Sequence, residues 1–239
     1  MLPIAYSEFA QIYRNRAVLI SNLIMPLLAS AFFIYRRDSF AEIGSLGYIA
    51  AVLVFTVAAF SLYTTAVTTL AARRQDLFLK RLRSTAAGDP AILSGLTLPV
   101  TLTALVQAVA ILGVFAAVSG SPADVALLAV SILATFAMML ALAMATAGLT
   151  GSPEQAQVTT LPISLLTIAV ASWVGITGTE ELALIKRLLP GGSATELIVN
   201  TWNGGVPLAE SLPLLAPTLG WVVVAVVLAL RLFRWEPRR

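Results

Sequence analysis

The sequence predicts an all-α polytopic membrane protein with six transmembrane helices. Three observations carry that prediction. Of 239 residues, 59% are hydrophobic and only 11% are charged, against about 25% charged in a soluble domain. Six uncharged windows are each long enough for a helix to cross about 30 Å of hydrocarbon, which takes about 20 residues. Runs such as Val222-Val223-Val224-Ala225-Val226-Val227 lack the alternating polarity of a membrane barrel strand. In lipid, only a helix or a closed barrel satisfies every backbone group internally. The same composition excludes an ordinary soluble core and a disordered chain.

Charges bracket the spans and turn residues trim them. The first span is predicted over 17–35, between Arg16 and Arg36. Ala29-Ser30-Ala31 mimics a signal-peptide cleavage site, but the apolar run continues through Phe32-Phe33-Ile34-Tyr35, longer than a secretory h-region, and favours an uncleaved span. The second span covers 46–71 and leads into a charged loop, 72–90. The third covers 91–118 and stops at Ser119-Gly120-Ser121-Pro122. The fourth covers 123–149, with Gly151-Ser152-Pro153 turning the chain into the fifth over 156–177. Residues 180–204 are amphipathic and broken by Pro190-Gly191-Gly192. They predict short extracellular helices lying at, or dipping into, the membrane interface. The sixth span covers 212–233.

An even number of spans places both termini on one side. Eleven of the fifteen Lys and Arg residues fall on that side, so the positive-inside rule predicts cytoplasmic termini.

Absences limit the chemistry. There is no Cys and no His, which removes disulfides, thiolate nucleophiles, imidazole metal sites and Ser-His dyads. No Asp, Glu, Lys or Arg lies well inside a predicted span, whereas proton-coupled carriers use an intramembrane titrating group. The only lysines, Lys80 and Lys186, do not sit in a Gly-Lys-Ser/Thr phosphate-binding loop. The sequence therefore predicts no catalytic, cofactor or metal site in this chain. If the protein pumps, a separate subunit supplies the ATPase.

The densest charge lies in the 72–90 loop: Arg73-Arg74-Gln75-Asp76, then Leu79-Lys80-Arg81-Leu82-Arg83-Ser84-Thr85. At helical spacing Leu79 and Leu82 form one apolar stripe, while Lys80, Arg81 and Arg83 mostly face away. Two readings follow. One is a basic flank that meets anionic headgroups. The other is a short amphipathic helix that docks a cytoplasmic partner.

This loop, following the second of six spans, resembles that of the ABC-2 family of ABC-transporter permeases. The family pattern there is Glu-x-Gly-Thr-Leu-Lys-Arg-Leu-Arg-x-Thr-Pro. The resemblance extends over most of the chain. Residues 2–16, with Glu8, Phe9, Tyr13, Arg14 and Arg16, are similar to the family's interfacial N-terminal helix, and the ending Leu232-Phe233-Arg234-Trp235-Glu236 is similar too. The chain departs from the pattern where Gln75 replaces the glutamate, Leu77 the glycine and Ala86 the proline. The resemblance implies one transmembrane domain over 1–239 that pairs with a second copy or a similar permease. It also implies two partner ATPase subunits, which carry ATP and Mg. Lys80, Arg81 and Arg83 would contact the ATPase, Asp76 would be a charge partner, and the first, second and fifth helices would move between inward- and outward-facing states.

Hydroxyls and amides mark the second and fifth spans: Thr64, Thr65 and Thr68, then Gln157, Thr160 and Ser164. Such residues are ordinary in membrane helix packing; in the resembled family the same helices line the substrate pathway. Pro162 removes a backbone hydrogen bond within the fifth span, which makes it a static bend or a hinge. The resulting expectation is an ATP-driven exporter of hydrophobic or amphipathic, drug-like cargo in a prokaryotic plasma membrane. Alternatives are an ATP-independent carrier or channel, or lipid, glycan or peptide export on the same scaffold.

Overall fold

The computed structural model describes residues 20–83, 88–233 and 235, and the regular structure among them is entirely helical. A π-helical turn, Ile20–Ile24, leads into α1 (Met25–Tyr35), followed by α2 (Arg37–Ile43). Next come α3 (Leu46–Gln75), the short α4 (Phe78–Arg83), α5 (Asp89–Ser119), α6 (Val125–Leu149) and α7 (Pro153–Thr177). Two short helices, α8 (Ala183–Leu188) and α9 (Gly192–Asn203), precede α10 (Leu208–Leu232).

Five of these, α3, α5, α6, α7 and α10, are long and apolar enough to cross a membrane. They correspond to the second through sixth predicted spans. The first predicted span begins outside the described residues, and its described apolar stretch, Asn22–Tyr35, is shorter than the roughly 20 residues a crossing takes.

Local chemistry sets the helix starts. Ser45 caps α3, its Oγ accepting from the Tyr48 amide at 3.1 Å. Asp124 caps α6, accepting from the Leu127 amide at 2.8 Å. Ser152 caps α7, accepting from the Gln155 amide at 3.3 Å. Each satisfies one of the amides that a helix start leaves open. Pro153 occupies the first turn of α7, where a missing N–H costs nothing, so α7 starts earlier than predicted. Helix α3 runs past its predicted end to Gln75, because Arg73 and Arg74 are good helix formers and charge alone does not stop a helix. Helix α10 starts earlier too, with a 3₁₀ turn at Leu212–Leu214 where Pro213 withholds an amide.

Helix α3 is the hub. It packs against α1, α5, α6, α7 and α9, while α10 lies along α6. Helix α9 goes further into the bundle than an interfacial helix would. Leu197, Ile198 and Trp202 are buried, and the Trp202 ring lies 4.9 Å from that of Phe115 on α5. Gly47 permits this, since a Cβ there would stand 2.8 Å from the Val199 backbone. Its amide donates to Asn203 Oδ1 at 2.9 Å.

Candidate functional site

The predicted docking element is a distinct helix. Asp76 ends α3, Leu77 turns the chain with φ of 58°, and α4 then packs against α3 and α5. Leu79 is completely buried in the main core. Arg81 is exposed, and its Nη2 donates to the Asp76 carbonyl at 2.8 Å, bracing α4 against the end of α3. Arg73 lies 5.2 Å from the centroid of the Phe78 ring, within cation–π range. The side chains of Lys80, Leu82 and Arg83 lie outside the described residues, as do Glu8, Tyr13, Arg14 and Arg16.

Arg74 was not singled out by the sequence reading. It is 1% exposed, and its Nη2 donates to the carbonyl of Thr150, the C-cap of α6. The Thr150 hydroxyl in turn pairs with that of Thr159 on α7 at 2.9 Å. A continuous set of polar contacts thus leads from the residues just before α4 to the start of α7. The signal was present in the spacing: Val67, Leu70, Ala71 and Arg74 share one helical face, and all four are buried.

A second polar cluster lies within the span region. Residues Ala58–Thr64 of α3 form a π-helical segment that packs against the π-helical turn Ile20–Ile24. Between them Ser61, fully buried, donates to the Asn22 carbonyl and lies 2.5 Å from Gln107 Oε1 on α5. Gln107 Nε2 donates to the Leu23 carbonyl at 3.3 Å. Widened helical turns of this kind are rare and cluster at functional positions. Nearby, Tyr63 and Thr146 join α3 to α6 through their hydroxyls at 2.9 Å.

The predicted pathway residues are placed differently from one another. Thr64, Thr65, Thr160 and Ser164 are buried, Thr68 is half-buried and Gln157 is exposed. Thr64 donates to the Ala59 carbonyl at 2.9 Å, Thr65 to Phe60 at 3.2 Å and Thr68 to Thr64 at 2.8 Å. Thr160 donates to the Ala156 carbonyl at 2.7 Å. Such back-bonding satisfies a hydroxyl within its own helix. Pro162 is exposed within an unbroken α7.

At the opposite end of α7, the buried Lys186 ammonium donates to Thr177 Oγ1 at 2.8 Å and to the Gly178 carbonyl at 2.7 Å. These contacts close the C-terminus of α7, where a cation is favoured by the helix dipole. Arg187 grips Glu196 through two donors at 2.7 and 2.6 Å. That hydrogen bonding holds the Arg187 pKa above its ordinary value.

A family model described as "ABC-2 family transporter protein" matches residues 5–231. The chain belongs to this family. No curated protein matches it. ABC-2 permeases are generally non-catalytic membrane subunits of ABC transporters and work with an ATPase partner. Among the described residues no cluster of His, Cys, Asp or Glu is suited to a metal. Family membership also makes sense of Leu77. It stands where the resembled loop pattern has glycine, and its own backbone is in the left-handed region that glycine adopts most readily.

Proposed function

We propose that this ABC-2 chain is the permease subunit of an ATP-driven exporter, moving hydrophobic or amphipathic, drug-like cargo out of a prokaryotic cytoplasm by alternating access. The observation that carries the reading is α4 in its setting: a separate amphipathic helix, anchored by buried Leu79 and presenting exposed Arg81, directly after the hub helix of an ABC-2 chain. In this reading both termini and α4 are cytoplasmic, the first predicted span completes six crossings, and two permease chains carry two ATPase subunits. ATP and Mg bind those subunits. Their closure presses on α4 and on the N-terminal segment. Arg74 and Thr150 then carry the displacement to α7, while Lys80, Arg81 and Arg83 make the contacts with the ATPase. The apolar walls of the spans, with scattered hydroxyls, suit hydrophobic cargo better than highly charged cargo.

The test replaces Lys80, Arg81 and Arg83 together by Glu in the reconstituted complex. Substrate-stimulated ATP hydrolysis should fall at least tenfold, with subunit assembly weakened. Unchanged assembly and stimulation would remove α4 from the coupling role.

A further inference from the structure

A groove of about 520 Å³ runs between α1 and α5, toward the membrane face opposite α4. Its walls include Ala31 and Ile34 of α1 and Ile111 and Val114 of α5, and Arg37 lies at its end. Ser30 also lines it. That side chain is 2% exposed, and its hydroxyl has no hydrogen-bond partner, although a helical serine ordinarily back-bonds to its own helix.

Arg37 is lightly engaged. Its Nε lies 3.6 Å from Asp38, whose side chain is 87% exposed, and a pair so exposed holds weakly. Neither Asp38 nor the exposed Glu42 lines the groove. Arg36 beside it is also exposed. The other two basic residues on this face are committed, Lys186 to Thr177 and Gly178 and Arg187 to Glu196. The groove is therefore apolar along its length and basic at one end, complementary to an amphiphile with a hydrocarbon chain and an anionic head.

We infer that this groove binds an anionic phospholipid from the leaflet on the Arg37 side. The acyl chain lies between α1 and α5, the phosphate meets Arg37 at the interface, and a polar atom near the glycerol end reaches the Ser30 hydroxyl. A basic residue at the membrane surface favours an anionic headgroup by about fivefold.

The experiment uses the full chain, in the complex in which it is isolated, reconstituted into phosphatidylcholine bilayers. Spin-labelled phosphatidylglycerol and phosphatidylcholine are the probes. A motionally restricted phosphatidylglycerol population should show about fivefold preference over phosphatidylcholine. Arg37→Gln should abolish the preference and Arg37→Lys should keep most of it. Val114→Trp, which fills the groove, should remove one restricted lipid per chain whatever its head. Equal restriction of the two lipids, a preference that survives Arg37→Gln, or an unchanged lipid count in Val114→Trp would each overturn the assignment. So would efficient disulfide linkage between two Ala31→Cys chains, because a second copy would then cover the groove. The chain has no native Cys, so that linkage reads cleanly.

Discussion

Leu77 offers a test in which the sign of one difference decides. Replacing it by Ala or by Gly removes the same half-exposed side chain beyond Cβ, so the packing loss cancels between the two variants. What remains is the Cβ itself. In a right-handed helix Ala is the better residue by about 0.8–1.0 kcal/mol. At φ of 58° a Cβ meets the neighbouring carbonyl, at roughly 1–2 kcal/mol. Glycine's greater freedom in the unfolded chain offsets about 0.4–1 kcal/mol of that. The balance leaves Leu77→Gly more stable than Leu77→Ala by about 0.5–1 kcal/mol. For a chain of this length that separates the two Tm values by roughly 1–4 °C. Thermal unfolding of both variants in one detergent, followed by Trp fluorescence, measures the gap. A higher Tm for the Ala variant would mean that α3 and α4 form one continuous helix, and the separate docking element would be lost.

Other expectations concern the bundle. In a double-mutant cycle of Ser61→Ala and Gln107→Leu, unfolding in micelles should give a coupling of about 0.6–1.7 kcal/mol, the range for hydrogen bonds between membrane helices; strict additivity would dissolve the cluster. Gly148→Ala should destabilise by about 1–3 kcal/mol, because its Cβ would stand 2.5 Å from the Leu232 carbonyl oxygen. Gly113→Ala, with nothing within 4 Å of the added atom, should instead raise the Tm. Pro162→Ala restores a backbone donor in α7 and should change transport turnover severalfold while leaving complex assembly intact; loss of assembly would mark Pro162 as structural.

What was legible in the sequence follows from what hydrophobicity encodes. A span must be apolar along its whole length, so α3, α5, α6, α7 and α10 stand out as gaps between charges. Capping is local as well, which is why Ser152 lies in the predicted Gly151-Ser152-Pro153 turn and Asp124 caps its helix within two residues of the predicted start at 123. Tertiary choices are not local. Nothing in residues 180–204 alone says that α9 enters the bundle; that depends on the space left by Gly47, over a hundred positions away. Ser61 and Gln107 are each visible as a polar residue in an apolar run, yet their meeting with each other and with the backbone carbonyls of Asn22 and Leu23 requires the crossing of three helical segments. The π-helical segments have no sequence signature comparable to a cap or a proline. Arg74 was hidden by its company: in a run of basic residues it looked like one more solvated charge, and only its register with Val67, Leu70 and Ala71 separates it.

The hub position of α3 bears on how the protein is made. Of the five long apolar helices it is the most enclosed, yet four of its neighbours, α5, α6, α7 and α9, lie later in the chain. During synthesis it meets lipid before they exist. Thr56, Thr64, Thr65 and Thr68 each bond a carbonyl of α3 itself, so these hydroxyls enter the bilayer already satisfied. Ser61 is different, since its contacts come from the preceding segment and from the helix synthesised afterwards. The central helix is thus suited to wait alone in the membrane, with Ser61 held ready for the arrival of α5.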